Sequence, residues 1–247
     1  PHGYESAILR EYLQCELLSI LFSLRGSEQL GFIGGTALRL LWDFDRFSED
    51  LDFDNFGERA NGPGLLFKET ADEFVRRGYS AQFQMKNSGE DRGGKLVISD
   101  LLYGLGLTPH RNQNIMIKFD YTTPSYHPPT VSRIMNRFGF LAHIVTEPLE
   151  VLAARKIHAL LNRRRTQGRD LYDLVWFISH RIKPDLSVLQ QEGIASYDDL
   201  FQKLEEKMEA VSGNMKSYEQ DIAAFVIDPS NAKRIGDLPQ LIVQMFP

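Results

Sequence analysis

The stretch FIGGTALRLLWDFDRFSEDLDFD, residues 32 to 54, decides how the chain is read. The apolar run LGFI at 30 to 33 ends in Gly34-Gly35. Residues 36 to 44 (TALRLLWDF) then put Leu38, Leu41 and Trp42 on one face of a predicted helix. DLDFD at 50 to 54 alternates acid and apolar side chains, the period of a strand. On a strand Asp50, Asp52 and Asp54 share one face, and Leu51 and Phe53 take the other. The carboxylates then stand about 7 Å apart per two-residue step. Like charges so close raise each other's pKa unless something compensates. A divalent cation does so naturally: Mg²⁺, or Mn²⁺ in its place, takes oxygen ligands from one or two carboxylates plus substrate phosphates. An edge strand made soluble by charge fits the same alternation.

Gly34, Gly35 and Thr36 add weight to the metal reading. A glycine turn that opens a helix aims backbone N–H groups at a phosphate. The Thr36 hydroxyl either donates to a phosphate oxygen or caps the helix. Together the two parts describe a phosphate cradle beside a metal pair.

The surrounding pattern predicts a helix over 4–25 ending at Gly26, a loop over 55–64, and an amphipathic helix over 65–78. Strands are expected at 79–86, 95–102 and 114–121, a proline-rich loop at 122–130, and a short closing strand at 143–145. From Glu147 the pattern turns helical, with segments at 147–165, 169–180, 198–213, 214–227 and 237–245. The expected architecture is an α/β (α+β) domain over 1–146, a mixed sheet with flanking helices, followed by a helical domain over 147–247.

Composition sets broad bounds. The 247 residues are 43% hydrophobic and 25% charged, the balance of a globular protein. No run approaches 18 apolar residues, so no membrane span is expected. The single Cys15 excludes an internal disulfide and a cysteine-built zinc site, and fits a reducing cytoplasm. PHGYESAILREY lacks a basic region followed by an apolar run, so a cytoplasmic location is expected. The net charge of −5 is unevenly spread. Residues 43–58 hold seven acids against Arg46, whereas residues 150–183 hold eight bases against three acids. An acidic centre and a basic segment suit a metal site and a phosphate-rich substrate; two solvated surfaces of opposite sign suit the same numbers.

In the predicted helix from 147, Lys156 points into the apolar face made by Leu149, Leu152, Ala153, Ile157 and Leu160. Arg163 falls on the same face, and His158 lies opposite, in solvent. A lysine there needs a partner or a function; its stem can also pack while the ammonium reaches water. Asp170 and Asp173 share a face of the next helix, and Asp170 also suits that helix's N-terminal dipole.

The 32–54 stretch resembles the first motif of the AbiEii/AbiGii toxin family of nucleotidyltransferases, within the DNA polymerase β-like superfamily. Gly35-Thr36 match that motif's Gly-Ser or Gly-Thr, Asp50 and Asp52 match its metal-binding DxD, and Arg46, Ser48 and Glu49 match its lead-in. Asp54 lies outside the pattern and reads as peripheral. Glu150, Leu152, Ala154 and Lys156, then Arg169, Asp170, Tyr172, Asp173 and Leu174, are similar to the family's downstream motifs. The resemblance covers roughly residues 30 to 180. It implies a third carboxylate on a neighbouring strand, for which Asp120 is the best candidate: Met116, Lys118 and Asp120 face away from Ile115, Ile117 and Phe119. A structural Lys118–Asp120 pair is the rival reading.

The resemblance further implies that Gly34, Gly35 and Thr36 cradle a nucleoside triphosphate, with Lys156 and Arg169 on its phosphates. Asp170 or Asp173 would position Lys156 or activate the acceptor. The implied protein is the toxin of a bacterial toxin–antitoxin or phage-defence pair, with a cognate antitoxin as partner and the tRNA 3′ end as acceptor. A protein hydroxyl as acceptor, a nucleotide-binding module without catalysis, and a metal-dependent phosphoesterase are the alternatives.

Overall fold

A computed structural model of the chain describes residues 2–57, 62–88 and 91–245. The chain divides into two compact units, Pro1–Glu147 and Pro148–Pro247.

The first unit runs α1 (His2–Leu21), β1 (Leu30–Ile33), α2 (Gly34–Leu41), β2 (Leu51–Asn55), α3 (Gly62–Arg76), β3 (Ala81–Ser88), β4 (Asp91–Ile98), a one-turn α4 (Leu101–Gly104), β5 (Ile115–Thr122), β6 (Val131–Arg137) and β7 (Phe140–Thr146). The strands form one mixed sheet in the order β3-β4-β5-β2-β1-β7-β6. β2 runs parallel to β5 and antiparallel to β1, and β1 runs parallel to β7.

The register of β2 against β5 follows from the core. Leu51, Phe53, Ile117 and Phe119 are fully or almost fully buried. Phe67 of α3 sits 5.3 Å from Phe53 and 5.0 Å from Phe119, ring to ring, and Phe32 of β1 lies 5.3 Å from Phe53. A one-residue slip would turn such side chains to the other face. Exposing Leu51, Phe53 and Phe119 alone would cost about 5–9 kcal/mol at about 1.5–3 each. Two unit charges 4 Å apart repel by only about 1 kcal/mol in water and about 4 kcal/mol near a protein surface. The apolar side therefore wins, and the acids share the opposite face.

From Glu11 onward helix α1 is buried on nearly all sides, so it carries polar groups into the interior. Glu11 binds Arg39 at 2.8 Å and Arg137 at 3.4 Å. Glu16 accepts from the Tyr79 hydroxyl at 2.8 Å and pairs with Arg77 at 3.2 Å. Gln14 donates to the carbonyls of Ser48 and Glu49 at 3.0 and 2.9 Å, and Arg10 pairs with Glu49. Burial and the negative charge of Glu11 push the Cys15 thiol up to about 12, which removes it as a nucleophile at neutral pH.

Several expectations need correction. α2 begins at Gly34 rather than Thr36, so both glycines lie in its first turn. β4 ends at Ile98, and residues 101–104 are helical after Asp100 adopts a positive φ of 60°. β6 was not expected. It joins β7 through the two-residue turn Phe138-Gly139, with φ of 53° and 81°, the paired positive angles of a primed hairpin turn. The 55–64 loop falls partly on 58–61, outside the described residues, and Gly62 already starts α3.

The second unit is helical: α5 (Leu149–Asn162), α6 (Gly168–Ser179), α7 (Leu186–Gln191), α8 (Tyr197–Val211), α9 (Met215–Ala223) and α10 (Leu238–Met245). The short α7 was not expected; Asp185 caps it by accepting from the Val188 N–H at 3.1 Å. The nearer Ser187 hydroxyl first, and then that bond, hold the Asp185 carboxyl below its ordinary range.

The Gln14 clamp yields a test. Gln14 is 1% exposed and satisfies two carbonyls at once. Gln14→Ala should cost about 1–3 kcal/mol by urea unfolding. A loss below the error of that measurement would show that the 48–49 segment does not lean on α1.

Candidate active site

In the parallel β2–β5 pair, Asp52 stands directly opposite Asp120. Their side chains share the face opposite Leu51, Phe53 and Phe119, and both are half-buried. One step on, Asp54 stands opposite Thr122 and accepts its hydroxyl proton at 2.8 Å. One step back, the Lys118 ammonium lies 3.4 Å from the Asp50 carboxylate. The sheet thus carries three polar rungs in sequence: Asp50–Lys118, Asp52–Asp120 and Asp54–Thr122.

This ladder refines the sequence reading. Asp54 is fully buried rather than peripheral. Lys118 turns to Asp50, across strands, and makes no ion pair with Asp120. Asp120 faces the same side as Asp52, as the alternation of β5 requires.

The glycine turn closes on this face. Gly34 has a φ of 81°, and a Cβ there would lie 2.3 Å from Asp52 Oδ2. Only glycine lets the backbone come so near that carboxylate. At Gly35 a Cβ would sit 2.8 Å from both Arg46 Nη2 and Ser48 Oγ. Arg46 is 3% exposed, donates to the Phe47 carbonyl at 3.1 Å and stacks its guanidinium on Phe44 at 5.0 Å. The R-x-S segment therefore packs under the glycine turn. Thr36 is fully buried and its hydroxyl donates to the Asp50 carbonyl at 2.5 Å. That hydroxyl is committed to anchoring the acidic strand, neither capping α2 nor facing a phosphate. α2 has no side-chain cap and no acid in its first turn, so its N-terminal end keeps its positive character.

Sequence reasoning missed the support from α1. Gln14 and Arg10 fix the backbone and side chain of residues 48–49, just before Asp50. Their only signal was their place among the apolar positions of the first predicted helix, which Glu11 and Glu16 share.

The second unit holds the remaining candidates. Lys156, one quarter exposed, places its ammonium 2.8 Å from the carboxylate of Asp173, which is 1% exposed. Asp173 therefore positions Lys156. Asp170 plays a different part. It accepts the Gln167 N–H at 3.0 Å in a capping box and binds Arg163 at 2.5 Å. Arg163 is spent on that contact, while Arg164, Arg165 and Arg169 remain exposed. His158 is half-buried and lies 3.1 Å from Glu192, not in open solvent.

Asp50, Asp52 and Asp120 are hard oxygen donors of the kind Mg²⁺ or Mn²⁺ takes, and Asp50 has the Lys118 ammonium as its counter-ion. Among the described residues no three His, Cys, Asp or Glu side chains, Asp50, Asp52 and Asp120 included, are gathered into a group that could hold a metal ion by themselves. The donor set fits a cation that shares its ligands with a substrate. A cleft of about 760 Å³ lies at the other end of β1 and β2, beside Leu30, Asn55 and Phe56, and contains none of the candidate residues. No described helix is long and apolar enough to cross a membrane.

Comparisons with known proteins establish the fold and the family. No curated protein sequence matches the chain significantly. Among solved structures, JHP933 from Helicobacter pylori is similar over 97% of this chain and 93% of its own, at 19% identity and a TM-score of 0.58. A second H. pylori structure, assigned provisionally to the nucleotidyltransferases, is similar over 97% of this chain and 96% of its own, at 19% identity and a TM-score of 0.57. At that identity they establish the fold. The family model described as nucleotidyl transferase AbiEii toxin, type IV toxin–antitoxin system, matches residues 17–235, and the chain belongs to that family of nucleotidyltransferases.

Proposed function

We propose that the protein is a metal-dependent toxin that transfers a nucleoside monophosphate from a nucleoside triphosphate to the 3′ end of tRNA, and that a cognate antitoxin restrains it. The observation that carries the reading is the Asp52–Asp120 rung beside the Gly34 turn. Asp50, Asp52 and Asp120 would hold Mg²⁺ or Mn²⁺ together with the triphosphate. That ion, when bound, supplies charge neutralisation at the phosphates.

The chain's own groups do the rest. The first-turn N–H groups of α2, at Gly34 and Gly35, receive the β- and γ-phosphates. Thr36 contributes indirectly, by holding Asp50 in place. The acceptor hydroxyl attacks the α-phosphorus in line; the bond to the bridging oxygen of the β-phosphate breaks, and pyrophosphate leaves. Asp120 accepts the hydroxyl proton. Lys156, oriented by Asp173, binds triphosphate oxygens, with Arg169 as a second cation. Asp170 supports this through the α6 cap rather than by touching substrate. Catalysis rests on positioning and charge, with no covalent intermediate. The exposed arginines at 164 and 165 suit an RNA backbone and favour RNA over a protein hydroxyl as acceptor.

Transfer of α-³²P from each nucleoside triphosphate into total tRNA and total cell protein tests the reading. Label should enter tRNA from one or two nucleotides and fall about 10²–10³-fold in Asp52→Asn. Label in protein alone would move the acceptor. Tight nucleotide binding without transfer would favour the binding module, and release of label from RNA without nucleotide would favour a phosphoesterase.

Lys156 and Asp173 should behave as one unit. Lys156→Met and Asp173→Asn should each lower kcat/KM by about 10²-fold or more, and the double variant should be little worse than the poorer single one. Losses that multiply would show that the two side chains act separately.

A further inference from the structure

The outer face of the sheet continues past Asp120 onto β4 and β3. Lys95 of β4 stands directly opposite Lys118 of β5, and Gln84 of β3 stands opposite Lys95. Cross-strand partners have Cβ atoms about 5 Å apart, and like charges placed so oppose one another. Lys118 has Asp50 as counter-ion at 3.4 Å. Lys95 is half-buried and makes no hydrogen bond or ion pair among the described residues. In that row two ammonium groups stand side by side with one carboxylate, Asp50, and the next carboxylate, Asp120, lies one step further along β5, so the row has room for a further anion.

Strand order gives the missing anion an address. The Gly34-Gly35 turn follows β1, on one side of the Asp52–Asp120 rung; Lys118 and Lys95 lie on the other side, across β5 and β4. Next to Asp120 on β4 is Gly93, which puts no side chain beside that carboxylate on β4, and Lys86 of β3 stands beyond it. The row Lys118, Lys95, Gln84 therefore leads away from the reacting centre, opposite the triphosphate cradle.

We infer that this row is the acceptor track: Lys95 and Lys118 bind successive phosphates at the 3′ end of a single-stranded RNA, and Gln84 hydrogen-bonds the strand beyond them. The inference rests on the RNA-acceptor reading above and deepens it. It assigns the donor and the acceptor to opposite sides of one carboxylate rung, and it gives the acceptor site a chemistry that a lone protein hydroxyl would not use. Lys118 then has two partners, Asp50 in the free protein and an RNA phosphate in the complex.

The test measures binding of a fluorescein-labelled single-stranded oligoribonucleotide with a free 3′ hydroxyl, by anisotropy across a series of KCl concentrations. Wild type is compared with Lys95→Met, Lys95→Glu and Gln84→Ala, with circular dichroism melts to confirm folding. Lys95→Met should weaken binding several-fold and flatten the slope of log K against log salt by about 0.7, the loss of one phosphate contact. Lys95→Glu should weaken it further, and affinity for a non-hydrolysable nucleoside triphosphate with Mg²⁺ should stay at the wild-type value in both. If Lys95→Glu labels tRNA with the wild-type KM and binds RNA with the wild-type slope, the track is wrong while the RNA-acceptor reading stands. If wild type neither binds nor labels RNA, both are wrong. Equal losses of RNA and nucleotide binding would place Lys95 on the donor side and overturn the assignment.

Discussion

Everything at the reacting face depends on the register of β2 against β5. Phe53 and Phe119 are fixed on either side of Phe67, and their burial outweighs the repulsion of the acids behind them. The acids are thus aligned by apolar packing on the opposite face of the sheet. In that register Asp52 meets Asp120 rather than the lysine one rung back or the threonine one rung on. A shift of two residues would keep the faces but mismatch the rungs, joining Asp52 to Lys118 or Thr122. The sheet core therefore fixes both which face the acids occupy and which acids are neighbours.

A second layer of constraints holds the loop that delivers the acids. The chain between α2 and β2 is short and acidic, and it is tied down from three directions. Gln14 and Arg10 reach it from α1, Thr36 from α2, and Arg46 packs beneath the glycine turn. These contacts explain why the buried second half of α1 keeps polar residues, and where the Thr36 hydroxyl is spent. The second unit repeats the device on a smaller scale: Asp170 secures the start of α6, so that Asp173, one turn later, meets Lys156.

Much of this was legible in the sequence because the decisive signals are local. The alternation of DLDFD and of IMIKFD places each side chain on its face without any knowledge of the neighbours, and Gly34-Gly35 marks the turn. What stayed hidden depends on partners distant in sequence. Nothing in the order of residues says that Thr36 bonds to Asp50, that Lys118 chooses Asp50 over Asp120, or that Asp54 is buried on Thr122. The β6–β7 hairpin was hidden for a local reason: its turn uses Phe138, a bulky residue at positive φ, where Asn or Asp would have given the usual signal. Asp170 and Asp173 were indistinguishable by spacing; the capping box at Asp170 and the Lys156 ion pair at Asp173 separate them.

The central claim is that the Asp52–Asp120 rung, and not the acidic character of the strand as a whole, holds the divalent ion. Mn²⁺ binding followed by electron paramagnetic resonance, in the presence of a non-hydrolysable nucleoside triphosphate, tests it most directly. Asp52→Asn and Asp120→Asn should each weaken Mn²⁺ binding at least about tenfold, while Asp54→Asn should leave it unchanged. Wild-type Mn²⁺ affinity in Asp120→Asn, or an equal loss in Asp54→Asn, would contradict the account.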